Sequence, residues 1–253
     1  LRARNIKVSF FLLGEKVEQN PDLDTIVVPI GGGGLITGIA VAAKAIKPSK
    51  RIVGVQTEAC PAMIKSYEDG VFYEEYPCED SLCDSLIGGI GALSYAMAKD
   101  YVDDFIAVSE ETIAKAVSFM AREEKYIVEA GSCTTVAAVM DYRERIGGRN
   151  IALVLSGGNI DVTSLSRVID RGLMKSGRTT SLLIELVDKP GQLMEVSRII
   201  AQCGGNVISV HHERNGETES INGCYLRLSL ETRNYDHVQQ ITQALRDAGF
   251  KIV

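Results

Sequence analysis

Four consecutive glycines, Gly31, Gly32, Gly33 and Gly34, stand between an apolar β-type stretch, Thr25-Ile26-Val27-Val28-Pro29, and an apolar helical stretch over 35–46. Strand, glycine turn and helix start in succession constrain the local geometry strongly. Glycine has no Cβ, so backbone N–H groups can close around an anion, and the helix dipole favours negative charge at that end. A plain strand-to-helix turn needs fewer than four glycines, and each one costs backbone entropy on folding. The run therefore predicts a phosphate cradle, with Leu35 opening the helix behind it.

From 25 to 155 the pattern alternates. Strands are expected over 25–30, 51–56, 104–108 and 150–155, and helices over 35–46, 62–69, 92–101, 110–126 and 133–146. Ahead of them, 5–11 reads as a strand and 13–19 as a helix. Ser109 is placed to cap the helix that follows it, with Thr112 at its third position. Continuous apolar runs such as Ile151-Ala152-Leu153-Val154-Leu155 predict strands covered on both faces. Alternating β and α predicts a parallel wound sheet, an α/β fold whose ligands sit beyond the carboxyl ends of its strands. The glycines at 31–34 lie at one such end, and Ser156-Gly157-Gly158-Asn159 lies at another.

The texture changes after a polar stretch at 171–178, which reads as a linker. Beyond it come a strand over 181–186, a turn at Asp188-Lys189-Pro190-Gly191 and a helix over 191–202. Strands over 206–214 and 224–231 flank a polar turn at 215–222, and a helix over 235–248 and a strand over 250–253 close the chain. That order is βαββαβ, a ferredoxin-like unit. The predicted division is 1–170, a linker at 171–178, and 179–253.

Composition removes several classes. Net charge is −6 and no basic cluster interleaves with aromatics, so nucleic acid is not an expected partner. No apolar run approaches the ~20 residues of a membrane span. Cys60, Cys78, Cys83, Cys133, Cys203 and Cys224 form no CxxC pair. They read as buried thiols of a cytoplasmic protein, and no metal site is expected. His211 and His212 are neighbours on a strand, so they point to opposite faces and read as solvated.

Two sets of motifs carry a resemblance. The first comprises Val28-Pro29-Ile30-Gly31-Gly32-Gly33-Gly34-Leu35, Gly54-Val55-Gln56, Tyr101-Val102-Asp103-Asp104, Val108-Ser109-Glu110, Val128-Glu129-Ala130-Gly131 and Leu155-Ser156-Gly157-Gly158-Asn159-Ile160-Asp161. It resembles the pyridoxal-phosphate (PLP) enzymes of the tryptophan-synthase-β fold type, threonine ammonia-lyases above all. The second set, Asp188-Lys189-Pro190-Gly191-Gln192-Leu193 and Gly204-Gly205-Asn206-Val207, resembles an ACT regulatory domain.

The resemblance implies roles. Backbone N–H groups of Gly31, Gly32, Gly33, Gly34 and Leu35 would hold the PLP phosphate. Ser156 would hydrogen-bond the pyridine nitrogen, and Gly157 and Asn159 would support the ring edge. Glu129 is the substrate-side candidate. Asp188, Lys189, Pro190, Gly191 and Asn206 would bind a small amino-acid effector, isoleucine or valine first, in a homo-oligomer. The substrate implied is threonine or a related hydroxy amino acid, because Ser85-Leu86-Ile87-Gly88-Gly89-Ile90-Gly91 is richer in glycine than the usual threonine-enzyme segment. The family's serine-lysine motif is missing. Lys44 follows the glycine run by ten residues, roughly 15 Å down a helix axis. The chain is therefore expected to be the C-terminal part of the catalytic domain plus its regulatory domain, inactive by itself. A non-catalytic amino-acid-binding protein is the competing reading.

Overall fold

The computed structural model describes residues 20, 22–214 and 223–253 in full and the backbone of 7–12. Two compact units divide it, Leu1–Val168 and Ile169–Val253. The helix expected over 13–19 and the turn at 215–222 lie outside the described residues.

In the first unit a five-stranded sheet is built from β1 (Lys7–Leu12), β2 (Thr25–Pro29), β3 (Arg51–Thr57), β4 (Asp104–Val108) and β5 (Asn150–Leu155). The spatial order is β1-β5-β2-β3-β4, and every pairing is parallel. Among the described residues the strands are accompanied by α1 (Gly34–Ile46), α2 (Ala62–Asp69), α3 (Ala92–Tyr101), α4 (Glu110–Phe119), α5 (Ala130–Ile146) and α6 (Val162–Lys175), the last running on past the end of the unit at Val168.

Successive strand side chains alternate between two cores, as a period of two requires. Val27, Val53, Ile106 and Leu153 pack with Ile113, Val117 and Val136 of α4 and α5. Ile26, Val28, Ile52 and Ala152 pack on the other side with Ile36, Met63 and Ala98 of α1, α2 and α3. All five residues of β2 are buried, which explains the absence of polar alternation in its sequence. Burial of each such aliphatic side chain contributes ~1.5–3 kcal/mol. A glycine costs only ~0.5–1 kcal/mol of chain entropy. The two cores can therefore carry a glycine loop that contributes nothing to packing.

After β2 the chain steps outward through β3 and β4, then returns to place β5 on the other side of β2. The order reverses between β2 and β5, and their carboxyl ends form the crevice where such sheets take ligands.

Local details follow the sequence with three departures. Thr112 N donates to Ser109 Oγ at 3.3 Å, so Ser109 caps α4 as expected. The helix expected to run to 126 ends as an α-helix at Phe119 and continues as a π turn over Met120–Glu124. Lys125, at φ +64°, ends it, because a left-handed residue cannot continue a right-handed helix. The helix expected from 133 begins at Ala130 instead. The expected linker at 171–178 is also corrected, since α6 occupies its first five positions. The residues there are polar because the helix is largely exposed, with Val168 its one buried side chain.

Asp104 shows how charge holds the edge of the sheet. Its carboxylate accepts from Arg145 Nη2 at 2.8 Å and from Arg51 Nη2 at 3.1 Å. Burial works to raise its pKa, but the two guanidiniums and the Phe105 N–H outweigh burial and leave the carboxyl below its ordinary value. A carboxylate depressed in the fold contributes stability above its unfolded pKa and loses it as pH falls through the folded value. We expect Asp104→Asn to lower the unfolding temperature at pH 7. The gap to the parent chain should close as pH falls through and below the ordinary carboxylate range. Thermal melts across that range check it; a gap constant with pH would remove Asp104's charge from the account.

The second unit runs β6 (Thr179–Val187), α7 (Gln192–Gln202), β7 (Asn206–Glu213), β8 (Gly223–Glu231), α8 (Tyr235–Asp247) and β9 (Lys251–Ile252). Its antiparallel sheet has the order β7-β8-β6-β9, the expected ferredoxin-like βαββαβ arrangement. Leu182, Ile184 and Leu186 alternate inward along β6 and meet Val196, Ile200, Ile241 and Leu245 of the two helices. Asn234 caps α8, its Oδ1 accepting from His237 N at 2.9 Å.

Candidate functional site: a glycine-lined crevice between β2 and β5

The glycine run leaves the carboxyl end of β2, and Ser156 follows the carboxyl end of β5. Thr25 and Val27 of β2 pair with Ile151 and Leu153 of β5, so the two segments emerge side by side. Residues far apart in the chain are thereby brought to one crevice, as the pattern predicted.

Helix α1 begins here without a side-chain cap and without an acidic residue in its first turn. Among the described residues, the N–H groups of Gly31, Gly32, Gly33 and Gly34 have no hydrogen-bond acceptor. Thr37 instead closes the turn from inside, its N and Oγ1 both donating to Gly33 O at 3.1 and 2.7 Å. Gly33 sits at φ +88°, and a Cβ on it would lie 2.7 Å from Ser94 Cβ. Amides with no acceptor among the described residues, a positive dipole end and no acidic residue in the first turn of α1 suit an anion. A phosphate fits this turn, and Leu35 N–H belongs to the same first turn.

On the β5 side, Ser156 Oγ lies 3.3 Å from Ser132 Oγ, and Gly157 N donates to Ser132 Oγ at 2.8 Å. Ser132 is fully buried in the first turn of α5. It orients the Ser156-Gly157 turn, and the sequence reading missed it. The helix was read from 133, which left Ser132 outside it, whereas α5 begins at Ala130.

Glu129 stands at the start of α5, where its N–H donates to Gly157 O at 3.3 Å. Ser85 Oγ donates to Glu129 Oε1 at 3.2 Å. A Cβ on Gly157 would come within 2.5 Å of the Glu129 carboxylate, so only glycine permits this approach. Ser85 was missed as an individual residue. It sits close to Gly31 and Gly131, where a Cβ would meet its backbone oxygen at 3.1 Å and its Oγ at 2.7 Å respectively. Glu110 holds this wall in place, Oε2 accepting from Leu82 N at 2.8 Å and Oε1 from Ser81 Oγ at 2.7 Å. Ser85, Glu129 and Asn159 border a cavity of about 390 Å³ together with Asp84, Asp161 and Ser164. Nearby Cys133 is a buried thiol that burial, helped by the Glu129 charge, pushes up to about 12, so it stays protonated and inert.

Neither nearby lysine points to this crevice. Lys44 pairs with Asp103 at 2.8 Å, and Lys50 donates to Leu23 O at 2.9 Å.

The expected thiols hold for Cys83, Cys133 and Cys224, which are buried, whereas Cys203 is partly exposed. Cys60 and Cys78 correct the expectation: the loop after α2 brings their Cα atoms to 4.8 Å and they form a disulfide.

In the second unit, Asp188, Lys189, Pro190 and Gly191 line a cavity of about 270 Å³ with His212 and Cys224. Asn206 is not with them. It opens β7 at the other end of the sheet, paired with Glu231 and donating from Nδ2 to Glu231 Oε2 at 2.8 Å. The chain reverses along α7, so the start of β7 lies at the same end of the sheet as the start of β6, with β8 between them, roughly 25 Å from the end of β6. His212 is exposed, as expected, and its Nε2 also lies 3.1 Å from Cys224 Sγ.

A wound parallel sheet with an uncapped glycine cradle and a serine at its switch point defines an α/β enzyme domain for a phosphate-bearing ligand. Residues 10–157 match the family model described as pyridoxal-phosphate dependent enzyme. The chain belongs to that family, whose cofactor is PLP, and the cradle fits the cofactor's phosphate. It is similar to the L-threonine ammonia-lyase of Thermotoga maritima, 39% identical over 239 residues, which cover 94% of this chain and 59% of that protein. It thus spans about three-fifths of that relative's length. Among solved structures, maize serine racemase matches at TM-score 0.56 and 32% identity, covering 61% of this chain and 50% of that one. The processed form of threonine deaminase isoform 2 from Solanum lycopersicum matches at TM-score 0.56 and 28% identity, covering 60% of this chain and 45% of that one. No described helix is long and apolar enough to cross a membrane.

Proposed function

We propose that this chain supplies the cofactor crevice and the regulatory unit of a PLP-dependent threonine ammonia-lyase. The whole protein would eliminate water from L-threonine, or a related hydroxy amino acid, and release ammonia to leave a 2-oxo acid. The observation that carries this reading is the convergence of the free 31–34 amides, Ser156 and Glu129 on one crevice. When bound, PLP supplies an electron-withdrawing ring that makes the substrate's α-proton acidic. The amides of Gly31, Gly32, Gly33, Gly34 and Leu35 anchor the phosphate. The Ser156 hydroxyl, a weak acid, donates to the pyridine nitrogen without giving up its proton, and Ser132 holds it in place. Gly157 and Asn159 support the ring edge. Glu129 Oε1 is occupied by Ser85, which leaves Oε2 to accept from a donor group of the substrate. On this reading neither Lys44 nor Lys50 joins the cofactor, because both are engaged elsewhere.

The second unit acts as an ACT-type regulatory domain in a homo-oligomer. The 239 aligned residues of the Thermotoga relative exceed the 168 positions of the first unit, so that similarity runs on into the second. Its cavity at Asp188, Lys189, Pro190 and Gly191 would take a small amino acid, with the α7 N-terminus facing the carboxylate.

One experiment tests both parts. The whole protein, loaded with PLP, is given L-threonine or L-serine with and without isoleucine or valine. Ammonia and 2-oxo acid should appear in equal amounts, and an effector should shift the substrate dependence. Cofactor binding without ammonia from either substrate would make the protein an amino-acid sensor and overturn the enzyme reading. Turnover untouched by every small amino acid would leave the second unit as a pairing module.

A further inference from the structure

We propose that Asp188, His212 and Cys224 form a binding site for a borderline-soft divalent cation, zinc in the first instance. Asp188 directly follows β6, His212 lies near the end of β7 and Cys224 at the start of β8, and the antiparallel sheet brings these three to one end of its strands. Their ligand atoms all lie within 4.8 Å of one another. His212 Nε2 is 3.1 Å from Cys224 Sγ and 3.9 Å from Asp188 Oδ1. Zinc holds sulfur, nitrogen and oxygen at ~2.0–2.3 Å in a tetrahedron, which sets them ~3.3–3.6 Å apart. The two His212 spacings bracket that range and the third pair lies within 4.8 Å, so side-chain rotation has to draw Asp188 and Cys224 together.

The surroundings favour the arrangement. Arg214 Nε holds Asp188 Oδ2 at 3.1 Å, which orients the carboxylate and leaves Oδ1 on the His212 side. Cys224 is buried, whereas Asp188 and His212 are open to the cavity of about 270 Å³. Three protein ligands with a fourth position open to a cavity is the pattern of an exchangeable rather than a closed structural zinc site. On binding, the Cys224 thiol gives its proton to solvent, its sulfur pair forms the metal bond, and no electron is transferred. Burial and the Asp188 charge hold that proton on, so affinity should rise with pH. The inference does not rest on the reading of this cavity as an amino-acid site.

Cobalt(II) titrated into the metal-free 253-residue chain is the probe, because thiolate coordination gives a charge-transfer absorption and a tetrahedral site gives intense visible bands. One equivalent should bind with both signatures, and zinc should displace it. His212→Ala, at an exposed position, should weaken binding at least ~100-fold, since even the loss of an outer-shell partner costs 10–100-fold. Cys224→Ser should abolish the charge-transfer band, and Cys203→Ser should retain it. No thiolate band in the parent chain, or an undiminished band in the His212 and Cys224 variants, overturns the proposal. Far-UV circular dichroism on each variant separates lost ligation from lost folding.

Discussion

Replacing Ser156 by alanine in the whole, PLP-loaded enzyme is expected to lower kcat by roughly ten- to a thousand-fold, the range for one misaligned contact at a reacting group. Cofactor affinity should fall much less. The reason is a separation of tasks. On the proposed reading the phosphate anchor is built on the β2–α1 turn from backbone amides, whereas Ser156 follows β5 and reaches the crevice from the other side. Removing its hydroxyl leaves every donor at 31–34 in place. It also frees Ser132 Oγ from its 3.3 Å neighbour while the Gly157 amide stays bound to it, so the turn itself should persist. Steady-state kinetics with threonine, together with a cofactor titration, check the split. Unchanged kcat in Ser156→Ala would refute the assignment; loss of kcat in step with loss of bound cofactor would make Ser156 part of the anchor.

Gly33→Ala should unfold the first unit at a markedly lower temperature. At φ +88° a side chain costs ~1–2 kcal/mol in backbone energy. The new Cβ would also lie 2.7 Å from Ser94 Cβ, an atom fixed to the backbone of α3 rather than the end of a flexible chain. Overpacking of that kind adds ~1–3 kcal/mol. Together the two terms predict a fall of roughly 5–20 °C for a chain of this length. Gly34→Ala is the control. It is the first residue of α1, and a Cβ there meets nothing within 4 Å. The melting temperature of that variant should hold or rise slightly. Equal melting of the two variants would show that the loop does not depend on the left-handed geometry of Gly33.

The crevice was legible in the sequence because it is made of local signals. The Gly31–Gly34 run and the Ser156-Gly157-Gly158-Asn159 turn each follow an apolar strand, and a parallel sheet sends all strand ends to one edge. Ser132 and Ser85 were not legible as individual residues. Ser132 reads as one small residue among several in α5, and only the 2.8 Å bond from Gly157 singles it out. Ser85 lies in a single 3-10 turn, Asp84–Leu86, and the segment just before it is held by Glu110, a helix and a strand further along the chain. Asn206 shows the opposite error. Its place at the start of a strand was read correctly, yet the return along α7 carries it to the far end of the sheet.

Residue order alone determined the alternation of strands and helices, the βαββαβ order of the second unit, the glycine turn between β2 and α1 and the cap at Ser109. Each depends on hydrophobic period, on glycine's missing Cβ or on a side chain reaching three residues along, all of which act over short spans. Tertiary structure alone decided the strand order that sets β5 beside β2, the approach of Glu129 to Gly157, the Cys60–Cys78 disulfide and the meeting of Asp188, His212 and Cys224. Those contacts join residues from separate elements. Their distances follow from which strands pair and in what register, and that choice is made by the packing of both sheet faces together.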